Sequence, residues 1–176
     1  MIGLERDVVK LRPYTAEWAR LFAEEEERIR SAIGEYILDI QHVGSTAIPG
    51  MAAKPILDIA VAVASFEEAF VCVAPMEHIG YEYCGENGIP RRHYFVKRNP
   101  LTTHHVHINE RGSRNWENQV MFRDYMSAHP QAIEAYIALK EGLAKQFPRD
   151  REAYTNGKAQ FIEHILDLAR KDYPPL

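Results

Sequence analysis

Apolar positions recur along this chain with two periods, and the change from one to the other marks out its elements. Thr15 precedes Trp18, Leu21, Phe22, Ile29 and Ile33, which fall on one face at helical spacing; with Thr15 as N-cap and Glu17 in the first turn, they predict a helix that Gly34 ends. Tyr36–Val43 predicts the first core strand. Ile56–Val63, apolar and rich in β-branched residues, predicts a second strand covered on both faces. Ser65 with Glu67 and Glu68 reads as another helix start, which Pro75 bends or splits and Gly80 stops. Tyr81–Tyr83 predicts a short strand, followed by a turn-rich loop over 84–90. The runs Arg92–Lys97 and Thr103–Asn109, joined through Asn99-Pro100, predict a hairpin. From Ser113 the period is helical throughout. One helix carries Trp116, Val120, Phe122 and Tyr125 and closes at His129; the next begins at Pro130 and carries Ile133, Tyr136, Ile137, Leu139 and Leu143 up to Pro148. A last helix runs from about Arg151 to Lys171, with Tyr154, Phe161, Ile165 and Leu168 inward. Met1–Pro13 alternates weakly and predicts an edge strand or an arm.

This order gives an α+β fold: a mixed α/β core over 1–111 followed by a helical portion over 112–176, in one domain spanning 1–176 without a linker or repeat. Hydrophobic content of 46% and charged content of 26% suit a globular protein. A net charge of −4 argues against non-specific binding to nucleic acid through overall charge, and leaves a local basic site open. No apolar run is long enough to span a bilayer, and MIGLERDVVK lacks the apolar core of a signal peptide, so the expected location is cytoplasmic. Cys72 and Cys84 read as free thiols. The run Glu24–Glu27 winds around its helix and reads as a solvated acidic face. Nothing in the pattern speaks to oligomeric state.

The chemistry concentrates between His42 and Val63. Gly44-Ser45 lets the backbone turn sharply at a strand end and points amides outward, a turn suited to a phosphate. Ser45 or Thr46 can cap a short helix through Ala47, which Pro49, Gly50 and Pro55 keep to a turn or two. Asp58 interrupts a buried strand and needs a metal, a cation or hydrogen bonds. As a metal ligand it would hold a hard cation; as a structural residue it would pair with an arginine, for which Arg123 is a candidate. His105 and His107 project from one face of their strand and can complete a metal site or act as a general base, while His42 could orient the glycine turn and His93 starts a strand. If imidazoles ligate, Mn²⁺ or Zn²⁺ suits the site better than Mg²⁺.

The string HVGSTAIPGMAAKPILDI resembles the core signature of the GrpB proteins, a family placed in the nucleotidyltransferase superfamily. The likeness continues through HYF at 93–95, HVHI at 105–108, FRDYM at 122–126 and YTNGKAQFI at 154–162, so it covers nearly the whole chain. It implies a nucleotidyltransferase-like mixed β-sheet with flanking helices and a C-terminal helical half. It further implies metal-dependent transfer of a nucleotidyl group from a nucleoside triphosphate, with Gly44 and Ser45 at the phosphates and Asp58 at a divalent cation, Mg²⁺ or Mn²⁺ ahead of Zn²⁺. Lys54, Arg123 and Lys158 are the expected phosphate-binding cations, with Arg92 and Lys97 flanking the hairpin; Asp58, His107 and His105 are the expected catalytic groups, and Asp58 and His107 the expected metal ligands. The chain departs from the superfamily's paired carboxylates at Ala60, two residues after Asp58. That departure keeps two other readings open: a non-catalytic module for a nucleotide or another phosphorylated small molecule, and a histidine-metal hydrolase. The family also occurs joined to coenzyme A biosynthetic enzymes, which hints at a phosphorylated cofactor.

Overall fold

The computed structural model describes residues 1–172. Helix α1 covers Glu17–Ile33, and the Thr15 hydroxyl accepts from the Glu17 amide at its start. The expected strand from Tyr36 is shorter: Gly34–Tyr36 continues the helix as a 3₁₀ turn, and β1 covers only Asp39–Val43. A 3₁₀ turn at Ser45–Ala47 leads through the proline-containing connector to β2, Leu57–Val63. The segment split by expectation around Pro75 is a 3₁₀ helix over Glu68–Cys72 followed by α2, Val73–His78, with Pro75 in the first turn where its missing N–H costs nothing. Strands β3 (Tyr81–Tyr83), β4 (Arg92–Arg98) and β5 (Thr102–Glu110) follow, then α3 (Arg114–Ala128) and α4 (Pro130–Gln146).

The single last helix expected from about Arg151 is two: α5, Arg151–Gly157, and α6, Ala159–Asp172, broken at Lys158. Gly157 lies so close to Leu143 of α4 that an added Cβ would stand 2.5 Å from a Leu143 methyl. The arm over 1–13 forms isolated bridges, Leu4 with Thr102 and Arg12 with Ala53, and no named strand.

The five strands form one sheet in the order β1-β2-β5-β4-β3, with β2 and β5 parallel and the other pairs antiparallel. One face has an apolar centre: Ile40, Ile59, Val61, Phe95, Val106 and Ile108 pack against Ile29 and Ile33 of α1 and Met76 of α2. Burial of this kind contributes about 25 cal/mol per Å² and is the main force holding the layers together. On the other face, Ala60 and Ala62 pack under Trp116 of α3. Beyond them, α3, α4 and α6 meet over Phe122, Tyr136, Ile165 and Leu166. At the end of β2 this second face carries polar groups instead. No helix among the described residues is long and apolar enough to cross a membrane.

Candidate functional site

Parallel pairing sets Asp58 beside His105 and Ala60 beside His107, while antiparallel pairing sets Tyr94 of β4 opposite His107. Side chains two apart share a face, so Asp58, His105, His107, Arg92 and Tyr94 converge on one patch. The Asp58 side chain is 32% exposed, and its Oδ1 accepts from His105 Nδ1 and from His107 Nε2, each at 3.3 Å. Burial opposes ionisation of Asp58, but the hydrogen bonds from both histidines hold it well below the usual carboxylate range. Because a carboxylate only accepts, both of those nitrogens carry protons. His107 Nδ1 lies 3.2 Å from Arg92 Nη1 and accepts from it, so both nitrogens of His107 are committed. Burial, the largest influence on His107, lowers its pKa. His105 is different: its Nδ1 is held by Asp58 and its Nε2 has no protein partner among the described residues.

Gly44 fits this arrangement for two reasons. Its φ of +69° is left-handed, and a Cβ there would come within 2.7 Å of Asp58 Oδ2. Gly44→Ala should therefore lower stability by about 1–3 kcal/mol and displace the carboxylate. A thermal melt with and without Mg²⁺ and a triphosphate would check both effects; an unchanged ligand response would show that the close packing is dispensable. His42 braces the same turn, as its Nε2 lies 2.9 Å from Thr46 Oγ1 and its ring stacks on Phe22. Burial brings His42 down to about 4, so it stays neutral.

A cavity of about 410 Å³ opens over the patch, and its charged walls are Lys54, Arg92, Lys140 and Lys158 against Asp58 alone. None of the three lysines forms an ion pair among the described residues. Lys140 is 1% exposed and donates to Ser45 Oγ at 3.1 Å and to the Ala52 carbonyl. Lys54 and Lys158, half-buried, lie over the ring of Tyr154 at 5.1 and 4.6 Å. Burial and mutual repulsion bring Lys54 and Lys140 down to about 7; burial brings Lys158 to about 8 against the pull of Asp58. A second cavity of about 310 Å³ lies on the other side of Asp58, sharing Ser45, Asp58, His107 and Lys158 with the first and walled by Val43, Phe122, Ile162 and Leu166.

Of the residues expected from sequence, the structure gathers Gly44, Ser45, Lys54, Asp58, His105, His107 and Lys158 into this site, with Arg92. Arg123 is elsewhere. Its guanidinium is taken by Asp124, Gln41 and the His42 carbonyl, so it ties α3 to β1 and neither pairs with Asp58 nor lines either cavity. Lys97 and His93 point to the opposite face, Lys97 to Glu25 and His93 to Tyr83 and the Phe66 carbonyl. Sequence reasoning missed Lys140 and counted Tyr136 and Tyr154 only as apolar. The available signal was a lysine four residues after Tyr136 and three before Leu143, on the stripe that should be buried.

Among the described residues, no three His, Cys, Asp or Glu side chains are placed to hold a metal ion by themselves. Ala60, in the position of a second carboxylate, is fully buried under α3, and His107 has no lone pair to give. The donor set thus fits one hard cation that brings phosphate ligands with it, through the Asp58 carboxylate, and does not fit a histidine-built centre.

A family model described as GrpB protein matches residues 8–168. UPF0157 protein YqkA of Bacillus subtilis is 42% identical over 90% of this chain and 46% of its own length, so the chain spans about half of that relative. Glutamate-rich protein GrpB of Alkalihalophilus pseudofirmus is 36% identical over 95% of this chain and 99% of its own. The crystal structure of GrpB from Enterococcus faecalis is 34% identical and superposes with a TM-score of 0.87 over 93% of this chain and 99% of that one. Two remote structures, each 13% identical, share the fold. They are the Cid1 poly(U) polymerase bound to MgATP, with a TM-score of 0.52 over 76% of this chain and 44% of that one, and the GLD-2/RNP-8 complex, with 0.57 over 90% and 61%. The chain belongs to the GrpB family and has a nucleotidyltransferase-like fold.

Proposed function

We propose that the pocket binds a nucleoside triphosphate, or another small molecule bearing several phosphates, and transfers its nucleotidyl group to an acceptor hydroxyl. The observation that carries this reading is the charge of the walls, four cations against one carboxylate. Ammonium groups drawn partly out of water and left without a counter-charge are unfavourable, and a polyanion relieves them. Among polyanions a nucleotide is favoured by the fold shared with a polymerase solved with MgATP. Gly44, Ser45, Lys54 and Lys158 receive the phosphates, and Arg123 supports the turn from outside. When bound, a divalent cation at Asp58, Mg²⁺ or Mn²⁺, would polarise the transferred phosphoryl group and offset its charge. His105 takes the acceptor's proton at Nε2, with Asp58 fixing its tautomer. His107 positions Asp58 and Arg92. Buried Ala60 favours a second reading, a module of the same fold that binds the ligand without turning it over.

Thermal unfolding against the four common nucleoside triphosphates, with and without Mg²⁺ or Mn²⁺, tests the reading. A ligand at a hundred times its dissociation constant adds about 2.7 kcal/mol, or roughly 5–10 °C for a domain of this size. The metal-dependent part of the rise should vanish in Asp58→Ala, and pyrophosphate should accumulate over repeated turnovers once an acceptor is supplied. Binding without pyrophosphate release from the triphosphate, whatever acceptor is supplied, would establish the module instead; no shift with any triphosphate would overturn both nucleotide readings.

A further inference from the structure

We propose that Ser45 is a nucleophile and Lys140 its base, so that transfer runs through a covalent nucleotidyl-serine. This rests on the nucleotide reading of the pocket. Ser45 Oγ is 3.1 Å from Lys140 Nζ, and Nζ is oriented by the Ala52 carbonyl, which gives a nucleophile, a base and a group that aims the base. Lys140 is almost wholly out of water on α4, lies 4.6 Å from the Tyr136 ring centre, and has no carboxylate neighbour to hold it charged. Its pKa of about 7 leaves a large neutral fraction at neutral pH. In that form it donates to Ala52 and accepts from the serine hydroxyl. Ser45 also stands on the wall shared by the two cavities, where the phosphate carrying the nucleoside would lie between the halves of the ligand.

Serine Oγ forms the bond to the α-phosphorus, the bond to the bridging oxygen breaks, and pyrophosphate leaves with the electron pair. The serine proton passes to Lys140. In the second step the acceptor oxygen attacks the same phosphorus, His105 Nε2 takes the acceptor's proton, the Ser45 Oγ–phosphorus bond breaks, and Lys140 returns its proton to Ser45.

The first step needs no acceptor, which makes it directly observable. The protein is mixed with α-labelled ATP, GTP, CTP or UTP and Mg²⁺, denatured, and mapped by mass spectrometry. The expected result is one nucleoside monophosphate per chain on Ser45 with an equal burst of pyrophosphate. Ser45→Ala should abolish the label. Lys140→Arg, which keeps the charge and the donors but cannot take a proton, should lower it at least about 100-fold while the thermal shift persists, the usual scale for a lost general base. A triphosphate that shifts the melt yet leaves no label on Ser45 of the unaltered protein overturns the covalent route and leaves nucleotide binding standing. Absence of any shift removes the nucleotide reading and the covalent route with it.

Discussion

Asp58→Asn should lower the rate of nucleotidyl transfer 10²–10³-fold, the range commonly lost with one preorganised electrostatic group, while metal-free affinity for a triphosphate rises. The two effects have opposite signs because Asp58 is the single anion among the pocket's charged walls. Its carboxylate repels phosphates when no cation intervenes, and asparagine removes that repulsion. The same substitution removes the charge that would hold a divalent cation. Asparagine keeps the size of the side chain and one oxygen that can accept from the imidazoles, so the fold should survive. The acid limb of the stability curve gives an independent check. A carboxylate whose folded pKa is depressed stabilises the protein above the unfolded value of about 4 and loses that contribution as the pH falls. The variant should lack that part of the acid transition. Calorimetric titration without metal, beside steady-state rates with metal, separates the outcomes; a parallel fall in binding and rate would make Asp58 a brace for the turn and not a working group.

What the sequence makes legible here depends on how local the determining interaction is. The strands and their facing follow from alternation, so the side-by-side placement of His105 and His107 could be read before any pairing was known. Asp58 stood out because a buried strand has no routine use for a carboxylate. The partners could not be read in the same way. Arg123 looked like a counter-charge for Asp58, yet Gln41, Asp124 and the His42 carbonyl claim it, and that geometry depends on how α3 crosses β1. Lys140 lies 95 positions from Ser45 and is set against it only when α4 packs against α3 and against Ile48 and Met51 of the connector after β1. The break at Lys158 was also hidden, because Gly157 is tolerated within a helical pattern and its close approach to Leu143 is a tertiary fact. Strand β1 begins later than its apolar run suggests because Gly34–Tyr36 tightens into a 3₁₀ turn before the chain extends.

Raising the pH from about 7 to about 9.5 should stabilise the free protein and weaken its hold on a triphosphate. Burial first, and then the neighbouring cations, bring Lys54 and Lys140 down to about 7, and burial brings Lys158 to about 8. The unfolded chain titrates its lysines near 10.4, so across this window it binds more protons than the folded one, and stability rises with pH. Burial also holds the Cys72 and Cys84 thiols and the hydroxyls of Tyr94, Tyr136 and Tyr154 protonated, and because the unfolded chain ionises its two thiols in this window they offset part of the rise that three lysines produce without reversing it. A bound polyanion favours the ammonium forms of Lys54 and Lys158, the lysines that receive its phosphates, and draws protons onto them, so its affinity must fall as the pH rises through their free-state values. Melting curves across the window give the first slope. Calorimetry in two buffers of different ionisation enthalpy gives the second, as a net uptake of protons on binding near pH 8. Binding with no proton uptake would place the phosphates away from Lys54 and Lys158, and a stability curve falling over the same range would mean that Lys54, Lys140 and Lys158 remain charged in the free protein.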